Sequence, residues 1–142
     1  MVRVESRSSA ETERLGAVLA AELHTGEVVL VAGELGAGKT TFVRGACRRL
    51  GVTVPVTSPT FTIGQRYPAT GPATWISHLD LYRIGSLGDE EPDILADYVG
   101  ADTIAFVEWP EIGLPELGEL ATETRRVDLE HGGGDLRIVE IR

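Results

Sequence analysis

The sequence predicts an α/β fold in a single domain, and three observations carry that expectation. Val28-Val29-Leu30-Val31-Ala32 is β-branched, continuously apolar and flanked by glycine, as a strand buried on both faces would be. A helix-patterned segment precedes this run, and a glycine-rich turn opening onto another helix follows it. Further along, paired strand-like runs separated by glycine- and proline-rich stretches read as hairpins. A length of 142 residues suits one domain, so no second folded domain is expected. Neither an internal repeat nor a linker is visible.

In chain order, Met1 to Glu5 has a β-like pattern, and Ser8 and Glu11 then have the spacing of a capping box. Leu15, Val18, Leu19 and Leu23 recur at helical spacing, which predicts a helix from about Ser9 to His24 with Gly26 beyond its end. After the central strand and its glycine-rich turn, a helix is expected from Lys39 to Leu50, closed by Gly51. Phe61 to Tyr67 and Ala73 to His78 flank Pro68-Ala69-Thr70-Gly71-Pro72 as a hairpin. Leu87 to Tyr98 is mixed and acidic and suggests a short helix broken or started near Pro92. Thr103 to Val107 is another apolar β-branched run, and Glu116 to Leu120 adds a helical turn. Arg125 to Leu129 and Leu136 to Ile141 alternate across His131-Gly132-Gly133-Gly134-Asp135 as a C-terminal hairpin.

Composition narrows the function. Apolar residues at 42% and charged residues at 25% are those of an average soluble chain. The 13 basic and 22 acidic residues leave a net charge of −9, which repels a phosphate backbone and disfavours direct, tight nucleic-acid binding. Cys47 has no partner for an internal disulfide, and no signal or membrane-spanning run is apparent, so a cytoplasmic protein is expected. All the basic residues but Lys39 are arginine. Keeping lysine at that one place suggests that a compact ammonium on a flexible stem is needed there.

Lys39 closes the most informative string in the chain. Gly33-Glu34-Leu35-Gly36-Ala37-Gly38-Lys39-Thr40 satisfies G-x-x-x-x-G-K-[ST] between an expected buried strand and an expected helix, the context that defines a P-loop. Glycines let the backbone turn its N–H groups inward around phosphates, and the helix that follows adds its positive end. Glu34, Leu35, Gly36, Ala37, Gly38, Lys39, Thr40 and Thr41 are therefore the expected nucleotide-binding residues, with Lys39 reaching the β- and γ-phosphates and the Thr40 hydroxyl binding Mg²⁺. Such a site needs a carboxylate at the end of a neighbouring buried strand. Glu108, which ends Ile104-Ala105-Phe106-Val107, is the first choice for this Walker B role and for the metal; Asp80 is the candidate water-orienting carboxylate, with a cap or turn role as its alternative. No N-K-x-D string is present, which favours ATP over GTP, and Asp97-Tyr98-Val99-Gly100 is read as a coincidental D-x-x-G.

Beyond the P-loop, Ser58-Pro59-Thr60-Phe61, His78-Leu79-Asp80-Leu81-Tyr82-Arg83 and Val107-Glu108-Trp109 stand in order at compatible spacings. With Gly33 to Thr41 and the short N-terminal helix, they resemble the bacterial TsaE (YjeE) family from about Ser8 to Trp109, while the C-terminal third adds little. The resemblance implies a single three-layer P-loop NTPase domain with a mixed, largely parallel central sheet. It also implies a Mg²⁺-dependent ATPase needed to form threonylcarbamoyladenosine in tRNA, working with the TsaB–TsaD heterodimer that performs the transfer and meeting tRNA only through that complex. By position, Thr60 would belong to a switch-like loop near the γ-phosphate, Asp80 and Glu108 would be the two acidic sites, and Trp109 the tryptophan after the Walker B acid.

Plainer readings stand beside these. Trp109 is equally a core aromatic by composition. His78 reads as a satisfied strand-end histidine, Cys47 as a small buried hydrophobe, and Arg44, Arg48 and Arg49 as a solvated helix face with docking as the lesser possibility. Arg83 is the better candidate for chemistry or contact. Thr12 and Ser9 approach the adenine if the first helix packs over the nucleotide, although capping accounts for Ser9 as well. A free-standing small-molecule or nucleotide kinase is the alternative function, but such enzymes usually carry an arginine-bearing lid, for which no insertion is long enough. A nucleotide-binding regulatory module without turnover is the third.

Overall fold

The computed structural model describes residues 1–58, 63–82 and 95–142. These form one seven-stranded sheet and three α-helices. The chain runs β1 (Val2–Ser6), α1 (Ser9–Ala20), β2 (Glu27–Ala32), α2 (Lys39–Arg49), β3 (Gly64–Pro68), β4 (Trp75–Asp80), β5 (Thr103–Glu108), α3 (Leu114–Leu120), β6 (Glu123–Gly133) and β7 (Leu136–Ile141). In space the strand order is β1-β7-β6-β2-β5-β4-β3. The centre is parallel: β2 pairs with β6 on one side and β5 on the other, and β5 pairs with β4. Antiparallel strands finish both sides, with β3 on β4 and with β7 and β1 beyond β6.

Every residue of β2 and of β5 is buried, as parallel strands covered on both faces require. Their side chains alternate between two cores. Val29, Val31, Ile104 and Phe106 pack under Leu19 and Leu23 from the α1 region and Phe42, Val43 and Ala46 from α2. Val28, Leu30, Ala105 and Val107 face Leu95, Val99 and Leu117 on the opposite side. Asp97 to Gly100 thus belongs to a segment that covers the second core. Cys47 is buried in the first core, where burial pushes its thiol up to about 12.

Helices α1 and α2 meet backbone to backbone. A Cβ on Gly45 would lie 1.9 Å from the Glu13 carbonyl oxygen, and one on Gly16 would lie 2.1 Å from that of Phe42. Only glycine permits this approach. Glu13 then accepts from Arg48 at 2.8 Å and lies 3.7 Å from Arg44, so two of the α2 arginines clasp α1.

Several boundaries differ from the sequence-based expectation. Ser8 caps α1 through its bond from the Glu11 N–H, as the capping box predicts, but the helix stops at Ala20 and not near His24. Its last turn tightens, with Glu22 N–H donating to Leu19 and Leu23 N–H to Ala20, and the chain then turns so that Gly26 N–H meets Thr103 at the start of β5. Leu23 stays buried, which is why periodicity extends the helix too far, whereas Val18 is 62% exposed despite its spacing. Strand β3 begins at Gly64, residues 59–62 lying outside the described part, and β4 continues to Asp80. Of the helix expected over Leu87 to Tyr98, the described portion is a 3-10 turn at Leu95–Asp97; residues 83–94 lie outside the description. The C-terminal hairpin is longer than expected, because β6 runs to Gly133 through an irregularity after His131 and turns at once into β7.

Candidate nucleotide site

The site lies where β2, β4 and β5 end against the start of α2. Register puts Val31 opposite Glu108 and Asp80 opposite Glu108, so the two expected acids end neighbouring parallel strands beside the glycine-rich loop. The loop needs its glycines: Gly33 and Gly38 have φ of 151° and 98°, and a Cβ on Gly33 would lie 2.4 Å from the Leu129 carbonyl oxygen. Gly38 caps α2 without a side-chain hydrogen bond, so the first turn, Lys39 to Thr41, presents its N–H groups at a bare helix start. Glu34, Leu35 and Gly36 are exposed along the loop rim, while Ala37 is buried beneath it.

Lys39 is folded back onto the loop it follows. Its ammonium donates to the Gly33 carbonyl at 2.6 Å and the Glu34 carbonyl at 2.8 Å, and it lies 4.4 Å from the centre of the Trp109 ring. Burial lowers its pKa below the ordinary lysine value, against the opposing pull of Glu108, Asp80, Glu111 and Glu34. Trp109 reaches it through a left-handed backbone at φ 57°, unique among the described non-glycine residues. Such a conformation costs on the order of 1–3 kcal/mol and is held by its surroundings; Tyr82 packs on the other ring contact of Trp109, with centroids 4.8 Å apart.

The structure brings Thr40 and Glu108 together. Thr40 Oγ1 donates to Glu108 Oε2 at 3.0 Å and stands 3.3 Å from Oε1. Asp80 accepts from Ser58 Oγ at 3.1 Å and from the Tyr82 N–H at 3.0 Å, the turn role that was its alternative reading, yet it does so beside Glu108. Thr12 is buried and shares a 2.7 Å hydrogen bond with Ser6. Together with Ser8, Ser9, Thr41, Asp135 and Arg137 it lines a cleft of about 60 Å³ next to the loop. Thr60 and Arg83 lie outside the described residues. Among the described residues no cluster of three or more His, Cys, Asp or Glu side chains is arranged for a metal, and no helix is long and apolar enough to cross a membrane.

Residues 6–137 match the family model for TsaE, the threonylcarbamoyl adenosine biosynthesis protein. The chain belongs to the TsaE family. Proteins of tRNA threonylcarbamoyladenosine biosynthesis named TsaE are similar to it over most of their length. The one from Streptomyces coelicolor is 40% identical over 121 residues, covering 85% of this chain and 80% of its own. That from Treponema pallidum is 39% identical, covering 83% and 85%, and that from Bacillus subtilis is 35% identical, covering 89% and 76%. The crystal structure of Bacillus subtilis YdiB superposes with a TM-score of 0.74 at 28% identity, covering 99% of this chain and 83% of that one. The TsaE match extends well past Trp109, which corrects the expectation that the C-terminal third adds little. The geometry gives the reason: the C-terminal hairpin returns to the glycine-rich loop, where Leu129 and Arg137 approach Gly38.

Sequence reasoning read His78 only as a satisfied strand-end histidine and did not single out Arg137 or Asp135 in this TsaE-family site. His78 is fully buried with Nε2 2.5 Å from Glu108 Oε2, and Arg137 with Asp135 completes the cleft around Thr12. The signal for His78 was its place two residues before Asp80, on the same strand face. Reading it required the β4–β5 register.

Proposed function

We propose that the chain is a Mg²⁺-dependent ATPase that supports threonylcarbamoyl transfer to tRNA adenosine by acting on a TsaB–TsaD complex in the cytoplasm. The observation that carries this reading is the pairing of Thr40 with Glu108 beside Lys39. A hydroxyl and a carboxylate on adjoining elements, next to a loop of inward N–H groups, match the donor set that holds Mg²⁺ on a bound triphosphate. Mg²⁺ keeps most of its ligands as water and phosphate oxygens, so two protein oxygens suffice. When bound, the ion would offset charge on the phosphates.

The chain's own residues divide the remaining work. The loop N–H groups other than that of Ala37, which donates to the Glu34 carbonyl at 3.2 Å, cradle the phosphates together with the first turn of α2. Lys39 exchanges its two carbonyl acceptors for phosphate oxygens, and the incoming negative charge favours its protonated form, which burial otherwise disfavours. Asp80 orients the attacking water from the strand end beside Glu108, and Thr60 senses the γ-phosphate. Thr12 flanks the nucleoside end through the cleft it shares with Arg137.

The test is calorimetric titration of wild type and Lys39→Ala with Mg-ATP, with thermal unfolding as the control. The variant should keep its fold and lose ATP binding by a factor of about 100 or more, because a charge-assisted contact in a partly buried site is removed. Unchanged affinity would end the reading. Phosphate transfer by the wild type to a small acceptor, with no dependence on partners, would favour the kinase alternative.

A further inference from the structure

Glu108 is a carboxylate with 3% of its surface exposed, and a buried charge of this kind must be held by hydrogen bonds. Thr40 supplies one donor. Alone it would leave the carboxylate plane free to turn, since the terminal torsion of a glutamate is broad. The second partner is His78, which β4 places on the same sheet face two residues before the register partner of Glu108. The backbone on either side of the ring is fixed, because His78 pairs with Gln65 of β3 and Phe106 of β5. Its Nε2 lies 2.5 Å from Oε2, the oxygen that also takes the shorter Thr40 bond, so Oε1, at 3.3 Å from the Thr40 hydroxyl, is the more weakly held oxygen and the one better placed to turn to another ligand. With the proton on Nε2, the histidine donates and the carboxylate accepts.

Packing alone does not account for the residue. Its Nδ1 is buried without a hydrogen bond among the described residues, a state in which an apolar side chain would serve a core better. Among the described residues, the one bond the ring makes goes to Glu108. We propose that His78 is a positioning residue that locks the Glu108 carboxylate in the orientation that receives Mg²⁺ on the nucleotide. This rests on the reading of Thr40 and Glu108 as the magnesium pair. Outer partners of metal-binding groups tune affinity in the same manner elsewhere.

The experiment measures ADP affinity by calorimetry with and without Mg²⁺ and takes the ratio as the readout, so that turnover plays no part. Wild type, Glu108→Ala, His78→Leu, His78→Gln and His78→Asn are compared after thermal unfolding confirms their folds. Glutamine carries an amide nitrogen near the place of Nε2, whereas asparagine carries one near Nδ1. His78→Leu should lower the Mg²⁺-dependent gain about tenfold or more while metal-free ADP affinity stays unchanged. His78→Gln should restore most of the gain, and His78→Asn should not. An unchanged gain in His78→Leu, or equal losses in glutamine and asparagine variants, overturns the proposal; should the leucine variant fail to fold, the glutamine–asparagine comparison decides. A full gain in Glu108→Ala overturns the magnesium reading itself, and is told apart because that variant alone tests the pair.

Discussion

Lys39 shows how one side chain can be held in reserve. Its ammonium donates to the carbonyls of Gly33 and Glu34 and is covered by Trp109, so the charge is held within the fold; on the proposed function it is the group that would turn to the phosphates. Burial favours the neutral amine, which makes the folded pKa lower than the unfolded one. The sign follows: the folded state binds the proton less readily, so this group's cost to stability is present at neutral pH and is relieved as pH rises through the lowered pKa. The same shift makes the amine nucleophilic earlier in a pH titration. Lys39 is the sole side-chain amine, so acylation mapped by mass spectrometry, with the α-amino group scored separately, should begin at lower pH than for a free lysine analogue. Mg-ATP should both protect it and move the onset upward. An onset at the ordinary lysine pH, unaffected by nucleotide, would contradict this account.

Among the elements, α1 and α2 act as a single piece because two glycines remove the side chains between them. Gly45→Ala would drive a methyl group to 1.9 Å from a carbonyl oxygen of the neighbouring helix, with no flexible side chain to yield. Overpacking against backbone costs about 3 kcal/mol or more. Denaturant unfolding should show a loss of that order, and since α2 begins at Lys39, nucleotide affinity should fall with it. A variant as stable as wild type would mean that the helices can slide apart. The contact also marks what the amino-acid order disclosed and what it concealed. The buried strand, the glycine-rich turn, the helix from Lys39 and both hairpins were legible, because each depends on local chemistry: β-branching, φ above zero, or an uncapped helix start. The close approach at Gly45 leaves no local pattern in the sequence, since it depends on which helix lies opposite. Thr40 and Glu108 could be named separately, but their meeting, the burial of His78 and the return of Arg137 to the loop depend on register and strand order, which no local pattern encodes.

At the scale of the whole molecule, Tyr82 is 52% exposed beside Trp109 among the described residues. Preorganised dipoles act weakly on phosphate charge that stays solvated, and a docked partner would remove that water. Turnover by the isolated chain should therefore be slow and should rise when a TsaB–TsaD pair covers the site, together with repeated threonylcarbamoyl transfer to tRNA. Thr60→Ala and Trp109→Ala remove, respectively, the proposed γ-phosphate sensor and the ring that covers Lys39. Both should lose most of the partner-dependent increase. Turnover measured with and without partners checks this, and fast hydrolysis by the chain alone would refute it. The net charge of −9 disfavours tight direct contact with a tRNA backbone.

The strand order has a consequence during synthesis on the ribosome. Strand β2, the apolar centre of the sheet, takes both its neighbours from much later in the chain, at Thr103–Glu108 and Glu123–Gly133. At about 5–20 residues per second, several seconds separate the emergence of β2 from that of either partner. Throughout that interval α1, β2 and α2 can associate, but the opposite apolar face of β2 and its unpaired edges have nothing from their own chain to meet. The nascent chain should thus be most dependent on holding chaperones in its middle third and should become protease-resistant abruptly once β5 and β6 have been made.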